Sequence, residues 1–413
     1  MLIFRFEDRQ ANGYGKTKRC LSPLFVGRFF FLSASVACTH AYFVHTARRN
    51  IMTIGMLHNN NRIGDGDYLD FEDKVADLDR QMNELRRLSS IKGIDYSAEI
   101  RRLQREQVAE LKRVYSNLTA WQTVQVARHP KRPILDDYLS LMVKDFRELH
   151  GDRCFGDDRA IVTGLGRIGR EKVLLVGQNK GRKTKEKIAC NFGCANPEGY
   201  RKAIAKMKFA QKYGLPIVTL IDTPGAYPGV GAEERGQAQA IAVNLTEMSR
   251  LSVPIICICI GEGGSGGALG IGVGDRMAIL EFAYYSVISP EGCAAILWRD
   301  GSQAADAAEA LKLTSKDLLK LQLIDEVIPE PLGGAHRNVH DTVYNVEKYI
   351  VKTLRDLKRT KVDNLLEARY KKLRSIGNNH ANNLRRKPRP TKIKIKPAVK
   401  AVPKKSRAVP AKL

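Results

Sequence analysis

The stretch Ile255-Ile256-Cys257-Ile258-Cys259-Ile260-Gly261-Glu262-Gly263-Gly264-Ser265-Gly266-Gly267-Ala268 changes character halfway along. Its first six residues are isoleucine and cysteine only, an apolar run of strand length. The next eight positions hold five glycines. The same grammar appears upstream, where the apolar run 217–222 is followed by Pro224-Gly225-Ala226-Tyr227-Pro228-Gly229. In open α/β sheets ligands bind just beyond the carboxyl ends of strands. Two glycine loops at such ends predict one site built largely from backbone.

Outward from these two strands, strand-length runs recur at 160–165, 173–177, 277–281 and 286–288, with helical stretches at 199–212 and 233–251 between some of them. The fold class is therefore α/β. Helices are also expected at 314–321 and 345–373, the second charged on one side and peripheral. Upstream, Phe71, Val75, Leu78, Met82, Leu85 and Leu88 keep helical spacing until Lys92-Gly93. A second helical run, Ile100, Leu103, Val108, Leu111, Tyr115 and Leu118, follows the candidate N-cap Ser97. Together they predict a helical hairpin, a packing or docking element. Two prolines and three cations in Arg128-His129-Pro130-Lys131-Arg132-Pro133 read as a loop and a boundary. The organisation expected is an extension at 1–56, the hairpin at 57–130, an α/β core at 131–340, a peripheral helix at 341–377 and a basic Pro/Lys-rich tail at 378–413.

With 413 residues, 43% of them hydrophobic, the chain can bury one large core or two ordinary ones, which excludes a small disulfide scaffold. Its formal charge of +25 sits at the ends: +12 in 378–413 and +6 in 1–56, leaving +7 for everything between. A nucleic-acid-binding fold concentrates charge on a folded face with aromatics for stacking. Here the tail alternates cations with prolines and carries no aromatic residue, so it reads as a disordered segment with loose affinity for polyanions. Eight cysteines include no C-x-x-C pair and read as core thiols of a reducing compartment. No metal site is expected. Residues 1–56 admit three readings: an export signal, a transit peptide to a plastid, or upstream codons before a start at Met52 or Met56, the last being preferred. The expected location is cytoplasmic, or plastid if that segment is a transit peptide.

Two short motifs compete for the glycine run. Gly261, Gly263 and Gly266 satisfy G-x-G-x-x-G, with Glu281 twenty residues on, as in a dinucleotide-binding oxidoreductase. Against it, Gly270, Gly272 and Gly274 each weaken the required helix by ~1 kcal/mol. Gly263-Gly264-Ser265-Gly266-Gly267 also matches the nucleophile elbow G-x-S-x-G, with Asp325 and His336 following in serine-hydrolase order. Ser265 among four glycines points instead to close backbone approach. A second G-x-G-x-x-G, Gly164 to Gly169, precedes a strand and reads as a hairpin turn.

Longer motifs run in order through the chain: Leu69-Asp70-Phe71-Glu72, Ala127-Arg128-His129-Pro130, Glu148-Leu149-His150-Gly151-Asp152-Arg153, Asn191-Phe192-Gly193, Pro197-Glu198-Gly199-Tyr200-Arg201-Lys202-Ala203, 221–229, 261–268, 288–298 and 330–337. Through them, residues from about 69 to 377 resemble the alpha subunit of bacterial-type acetyl-coenzyme A carboxylase carboxyltransferase. The resemblance implies a crotonase-like (ClpP/crotonase) spiral of β-β-α units behind an N-terminal helical hairpin. It also implies transfer of a carboxyl group from N1-carboxybiotin, borne on a separate biotin carboxyl carrier protein, to acetyl-CoA, giving malonyl-CoA. Implied partners are a carboxyltransferase beta subunit holding a zinc ribbon, with two alpha and two beta chains, and a biotin carboxylase. No cofactor bound to this chain is implied.

Both half-reactions place negative charge on an oxygen, the ureido oxygen of biotin and the thioester oxygen of acetyl-CoA. Backbone N–H groups aimed beforehand stabilise such charge without reorganising, and each is worth ~2.7–4 kcal/mol. Carried over from the family, the amides around Gly266, Gly267 and Ala268 hold the ureido oxygen, and Gly225, Ala226 and Tyr227 form the neighbouring wall. Gly263 and Gly264 either line the site or merely permit the turn. Lys180 and Arg182, in Lys180-Gly181-Arg182-Lys183, are an anion contact for phosphate or carboxylate, or part of a solvated loop. Gln178, Asn179 and Lys183 depart from the family's usual His, Gln and Asp, so local contacts there are expected to differ.

Overall fold

The computed structural model describes residues 68–377. The expectations for 1–56, with its candidate starts, and for the tail 378–413 lie outside the described residues. The described residues open with helices α1 (Asp73–Lys92) and α2 (Ser97–Ser116), the expected hairpin. Gly93 ends α1 at φ +66, a left-handed cap that a side chain would strain, and its N–H donates to Ser89 O. Val75, Leu78 and Met82 of α1 and Leu103, Leu111 and Tyr115 of α2 are buried, as the helical spacing requires.

Helices α3 (Ala120–Ala127) and α4 (Leu135–Met142) lead into strand β1 (Val143–Glu148), none of which stood out in the sequence. Then come β2 (Ile161–Ile168), β3 (Glu171–Gln178), α5 (Thr184–Ala189), α6 (Pro197–Lys212), β4 (Ile217–Thr223), α7 (Val230–Glu234), α8 (Gln237–Arg250), β5 (Ile255–Gly264) and α9 (Ser265–Leu269). The chain continues through β6 (Arg276–Leu280), β7 (Tyr284–Ser286), α10 (Pro290–Leu297), α11 (Ala304–Leu311), α12 (Ser315–Lys320), β8 (Glu326–Ile328), α13 (Val339–Leu357) and α14 (Val362–Ser375).

Seven of the strands lie side by side as β1-β2-β3-β4-β5-β6-β8, in chain order except that β7 pairs with β5 off this path. β1, β2 and β3 are antiparallel neighbours, and every later pairing is parallel. This is the α/β spiral expected, with strands of Ile, Val, Leu and Cys closed in by helices. Leu174, Val218, Ile256 and Ala278 of the sheet share one core with Met207 of α6, Met248 of α8 and Ile350 of α13.

Several boundaries differ from the sequence reading. β5 runs ten residues instead of six, taking Gly261, Gly263 and Gly264 into the strand. Its lower half pairs with β6 and Glu262–Gly264 with β7. Against β4 the register jumps from Ile221↔Cys259 to Thr223↔Gly263, so β5 bulges where its glycines begin. Gly164 and Gly166 lie in β2, and only Gly169, at φ +58, makes the hairpin turn. The helix expected at 233–251 breaks at Gly236, φ +80, into α7 and α8.

The C-terminal helix is the larger correction. It is two helices, and neither is peripheral: α13 buries Val343, Val346, Ile350 and Leu354 in the main core. α14 buries Leu365 in the same core and is clasped through Arg369. Arg369 is 1% exposed, pairs with Asp275 through Nε at 2.8 Å and Nη2 at 2.7 Å, and donates to Met248 O, Leu251 O and Val253 O. Asp275 also accepts from Ile255 N at 2.7 Å. The clasp thus joins the end of α8 to the start of β5. Removing one partner of a buried, hydrogen-bonded pair strands the other charge, so Arg369→Met is expected to lower unfolding free energy by about 3–5 kcal/mol in urea titrations of the full chain. A change below about 1 kcal/mol would contradict the clasp.

Candidate active site

The turn from β5 into α9 lies directly on the loop that follows β4. A Cβ at Gly264 would stand 2.1 Å from Pro224 O, and one at Gly267 would stand 2.5 Å from Ala226 N and from Gly225 C. Two backbones touch there with no space for side chains, the approach that only glycine permits. The two loops singled out in the sequence are therefore one structure. Gly263 has a different task, since its Cβ would meet the Tyr285 ring at 2.3 Å. A Cβ at Gly225 would meet nothing within 4 Å, and one at Gly266 would meet only Ile241, at 3.7 Å. Ser265 and Gly266 are partly exposed, so the run is not sealed inside the molecule.

Ser265 takes φ +52, uncommon for a residue with a side chain. α9 then makes little more than one turn, and the first amides of a helix have no partner within it. Tyr227 stands at the rim, about one-third exposed, its N–H on Ala195 O at 3.0 Å and its ring against Gly229. Asn191, Phe192 and Gly193, with φ of 46°, 56° and 87°, form a left-handed turn beside this loop. The Thr223 hydroxyl lies 2.7 Å from Gly193 O and ties the two together.

A buried ionic cluster supports the turn. Glu262 receives Arg128 Nε at 2.6 Å and the Tyr284 hydroxyl at 2.6 Å on one oxygen, and Lys180 Nζ at 2.5 Å on the other. Lys180 also meets Asp222 Oδ1 at 2.7 Å, and Arg128 also meets Glu291 at 2.5 Å. Burial opposes charge on Glu262, yet Lys180 and Arg128 outweigh it and hold the carboxyl well below the usual range. Burial likewise opposes the Lys180 cation, and Asp222 and Glu262 reverse the effect and raise its pKa.

Two expectations change here. Lys180 is committed to two carboxylates of its own chain instead of a phosphate, because the chain reverses at Gly181, φ +71, and turns it inward. Arg182 stays partly exposed and pairs with Asp137. The segment 128–133 is an anchor instead of a boundary: Arg132 binds Glu330 through both terminal nitrogens at 3.0 and 2.6 Å and donates to Ile260 O at 2.9 Å.

The rival motifs do not assemble. His336 stacks on His129 at 3.9 Å, burial pushes it down to about 2, and neither ring nitrogen has a hydrogen-bond partner, so it relays no proton to Ser265. Asp325 is held by Met277 N and Lys372. In the dinucleotide reading the glycines should open a helix, but Gly261 and Gly263 lie inside β5. Among the described residues no group of three or more His, Cys, Asp or Glu is placed to hold a metal ion. No helix there is long and apolar enough to cross a membrane.

Sequence reasoning noted Gln178 only as a departure from the family's usual His; it is fully buried, its Nε2 donates to Gly267 O at 2.9 Å and its Oε1 accepts from Asp222 N at 3.1 Å. Arg128 and Glu262 were missed, although an acid inside a glycine run was an available signal.

The cluster makes a prediction with a sign. Glu262 has a depressed folded pKa, so its stabilisation is present above the unfolded carboxylate range and is lost as pH falls through the folded value. Lys180→Met should destabilise by about 3 kcal/mol at pH 7 in urea titrations. The deficit should shrink toward about pH 4, where the stranded Glu262 carboxylate can take up a proton. A deficit independent of pH would overturn the assignment.

Residues 68–377 match the family described as acetyl co-enzyme A carboxylase carboxyltransferase-like. The acetyl-coenzyme A carboxylase carboxyl transferase subunit alpha of Rhodopirellula baltica is 55% identical over 312 residues, 76% of this chain and 98% of that one. The protein of the same name from Xanthomonas campestris pv. campestris (strain B100) is 53% identical over 310 residues, 75% of this chain and 97% of that one. A Pseudomonas malonate decarboxylase hetero-tetramer solved in complex with coenzyme A overlaps more loosely, with a TM-score of 0.45 and 16% identity over 56% of this chain and 90% of that one. With its matched segment, its ordered motifs and its converging glycine loops, this chain belongs to the acetyl-coenzyme A carboxylase carboxyltransferase alpha family.

Proposed function

We propose that this chain is the alpha half of a carboxyltransferase that moves a carboxyl group from N1-carboxybiotin, presented by a separate carrier protein, to acetyl-CoA. One observation carries the reading at the level of the site: the backbone of Gly267 lies against that of Gly225 and Ala226, which brings two sets of main-chain groups to one place. The bond between biotin N1 and the carboxyl carbon breaks, its electron pair passing into the ureido group, where the amides around Gly266, Gly267 and Ala268 stabilise the oxygen. The biotin N1 left behind takes a proton from the acetyl methyl group. The resulting enolate carbon then bonds to the released carbon dioxide, and the products are biotin and malonyl-CoA.

Gly225, Ala226 and Tyr227 form the wall beside the reacting groups in this reading, and Gly263 and Gly264 set the turn. A beta subunit completes the cleft and supplies the zinc ribbon, in an assembly of two alpha and two beta chains served by a biotin carboxylase and its carrier. Arg182, already paired with Asp137, contributes at most an outer contact with an anion. The working compartment is the cytoplasm, or a plastid if residues 1–56 act as a transit peptide.

Gly267→Val is the direct test. Its side chain would enter the space held by the Gly225 backbone, so malonyl-CoA formation should fall by at least about 10²–10³-fold, the usual consequence of losing an oxyanion donor. Co-purification with the beta chain should persist. Near-normal turnover in that variant would refute the site.

A further inference from the structure

We propose that Gln178 is a positioning residue, whose single side-chain amide fixes the first turn of α9 and sets the separation of the two glycine loops. The inference rests on the reading of that turn, Gly266 to Ala268, as the oxyanion site. It starts from a carbonyl that the helix leaves without a partner. Past α9 the Gly270 N–H bonds Gly266 O at 2.9 Å, but the Ile271 N–H turns to Ala268 O and the Gly272 N–H to Leu269 O. Gly267 O therefore lacks the amide four residues on that a longer helix would supply. Two fully buried side chains replace it: Gln178 Nε2 at 2.9 Å and the Tyr200 hydroxyl at 3.3 Å.

The Gly267 carbonyl and the Ala268 N–H belong to one planar trans peptide and point in opposite directions. The Ala268 N–H is spent on Gly264 O as the first bond of the helix, so holding the Gly267 oxygen holds the whole turn whose earlier amides, at Gly266 and Gly267, stay free of helical partners. Gln178 does more than Tyr200, because its other amide atom accepts from Asp222 N at 3.1 Å, just before the Thr223–Gly225 loop. Nitrogen and oxygen of one amide are a fixed distance apart, so the end of β4 and the first turn of α9 are spanned by a rigid link. That link is rooted in the sheet, since Gln178 is the last residue of β3 and sits opposite Ile161. Donors placed in advance are what make an oxyanion site effective, and this side chain does the placing without touching the substrate.

The test uses the chain assembled with its beta partner, assaying malonyl-CoA formation. Gln178→Leu keeps bulk but loses both hydrogen bonds. Its kcat should drop about 10- to 100-fold, with KM for acetyl-CoA within about twofold of wild type. Gln178→Glu supplies a readout that a merely structural role would not move. Protonated, the glutamic acid can donate to Gly267 O and accept from Asp222 N, whereas ionised it sets an oxygen against an oxygen. Its kcat relative to wild type should therefore fall steadily from about pH 6 to pH 9 as the buried acid ionises. A flat ratio for Gln178→Glu overturns the proposal, and so does a folded Gln178→Leu enzyme with wild-type kcat. If Gln178→Leu does not assemble, the Glu variant decides alone. Gly267→Val, run in parallel, separates the two ideas: normal turnover there removes the donor site itself, whereas its loss beside unaffected Gln178 variants removes only the clamp.

Discussion

Everything in the proposed site depends on one contact between backbones, Gly264 and Gly267 against Pro224, Gly225 and Ala226. Ordinary packing interposes side chains between neighbouring segments and so keeps main-chain dipoles apart. Here glycine removes that spacing. The amides of the first turn of α9 are brought to the wall formed by the β4 loop, where they can act together on a single oxygen. The β5 bulge between Cys259 and Gly263 belongs to the same constraint, because it shifts the strand against β4 just below the turn.

Such a contact needs support from behind, and the chain supplies it with buried charge. Arg128 arrives from the end of α3 and Lys180 from the end of β3, and both bind Glu262, two residues before Gly264. The helical region and the sheet are thereby tied to the same carboxylate. Isolated buried ion pairs often add little to net stability, because desolvation offsets attraction. What this cluster offers is a geometry that fails if any member is lost, since each charge left behind would be buried and uncompensated.

How much of this was legible follows from what sequence patterns encode. Apolar runs such as 217–222 and 255–260 announce their strands, because burial selects residue type at every position. Glycine clusters announce the loops for an equally local reason. Long-range pairing of charge has no such signature: Arg128 and Arg132 looked like solvated loop cations, yet Arg128 reaches Glu262 and Glu291, and Arg132 reaches Glu330. The same blindness made α14 look peripheral, since Arg369 and Lys372 reach the distant Asp275 and Asp325 and only Leu365 among its apolar residues is buried. Lys180 was misjudged likewise, for its partners Asp222 and Glu262 lie 42 and 82 positions away. The strand-end pattern already joined the two glycine loops in one site, and only the family resemblance attached a chemistry to them.

The ionic cluster also constrains the chemistry. A general base must hold a lone pair free toward the proton it takes. Glu262 is the acid nearest the glycine turn in sequence, but one of its oxygens accepts from Arg128 and Tyr284 and the other from Lys180, and its carboxyl is held far below neutral pH. Asp222 is engaged at Oδ1, by Lys180 at 2.7 Å and by the Glu262 N–H at 2.9 Å. Both carboxylates help to hold the loops in place, and Glu262 has no oxygen left for a substrate proton. In the reaction proposed above the proton passes instead to the biotin nitrogen freed on carboxyl release, a base that arrives with the substrate. A site made of amides needs no more from its own side chains than that they keep those amides aimed.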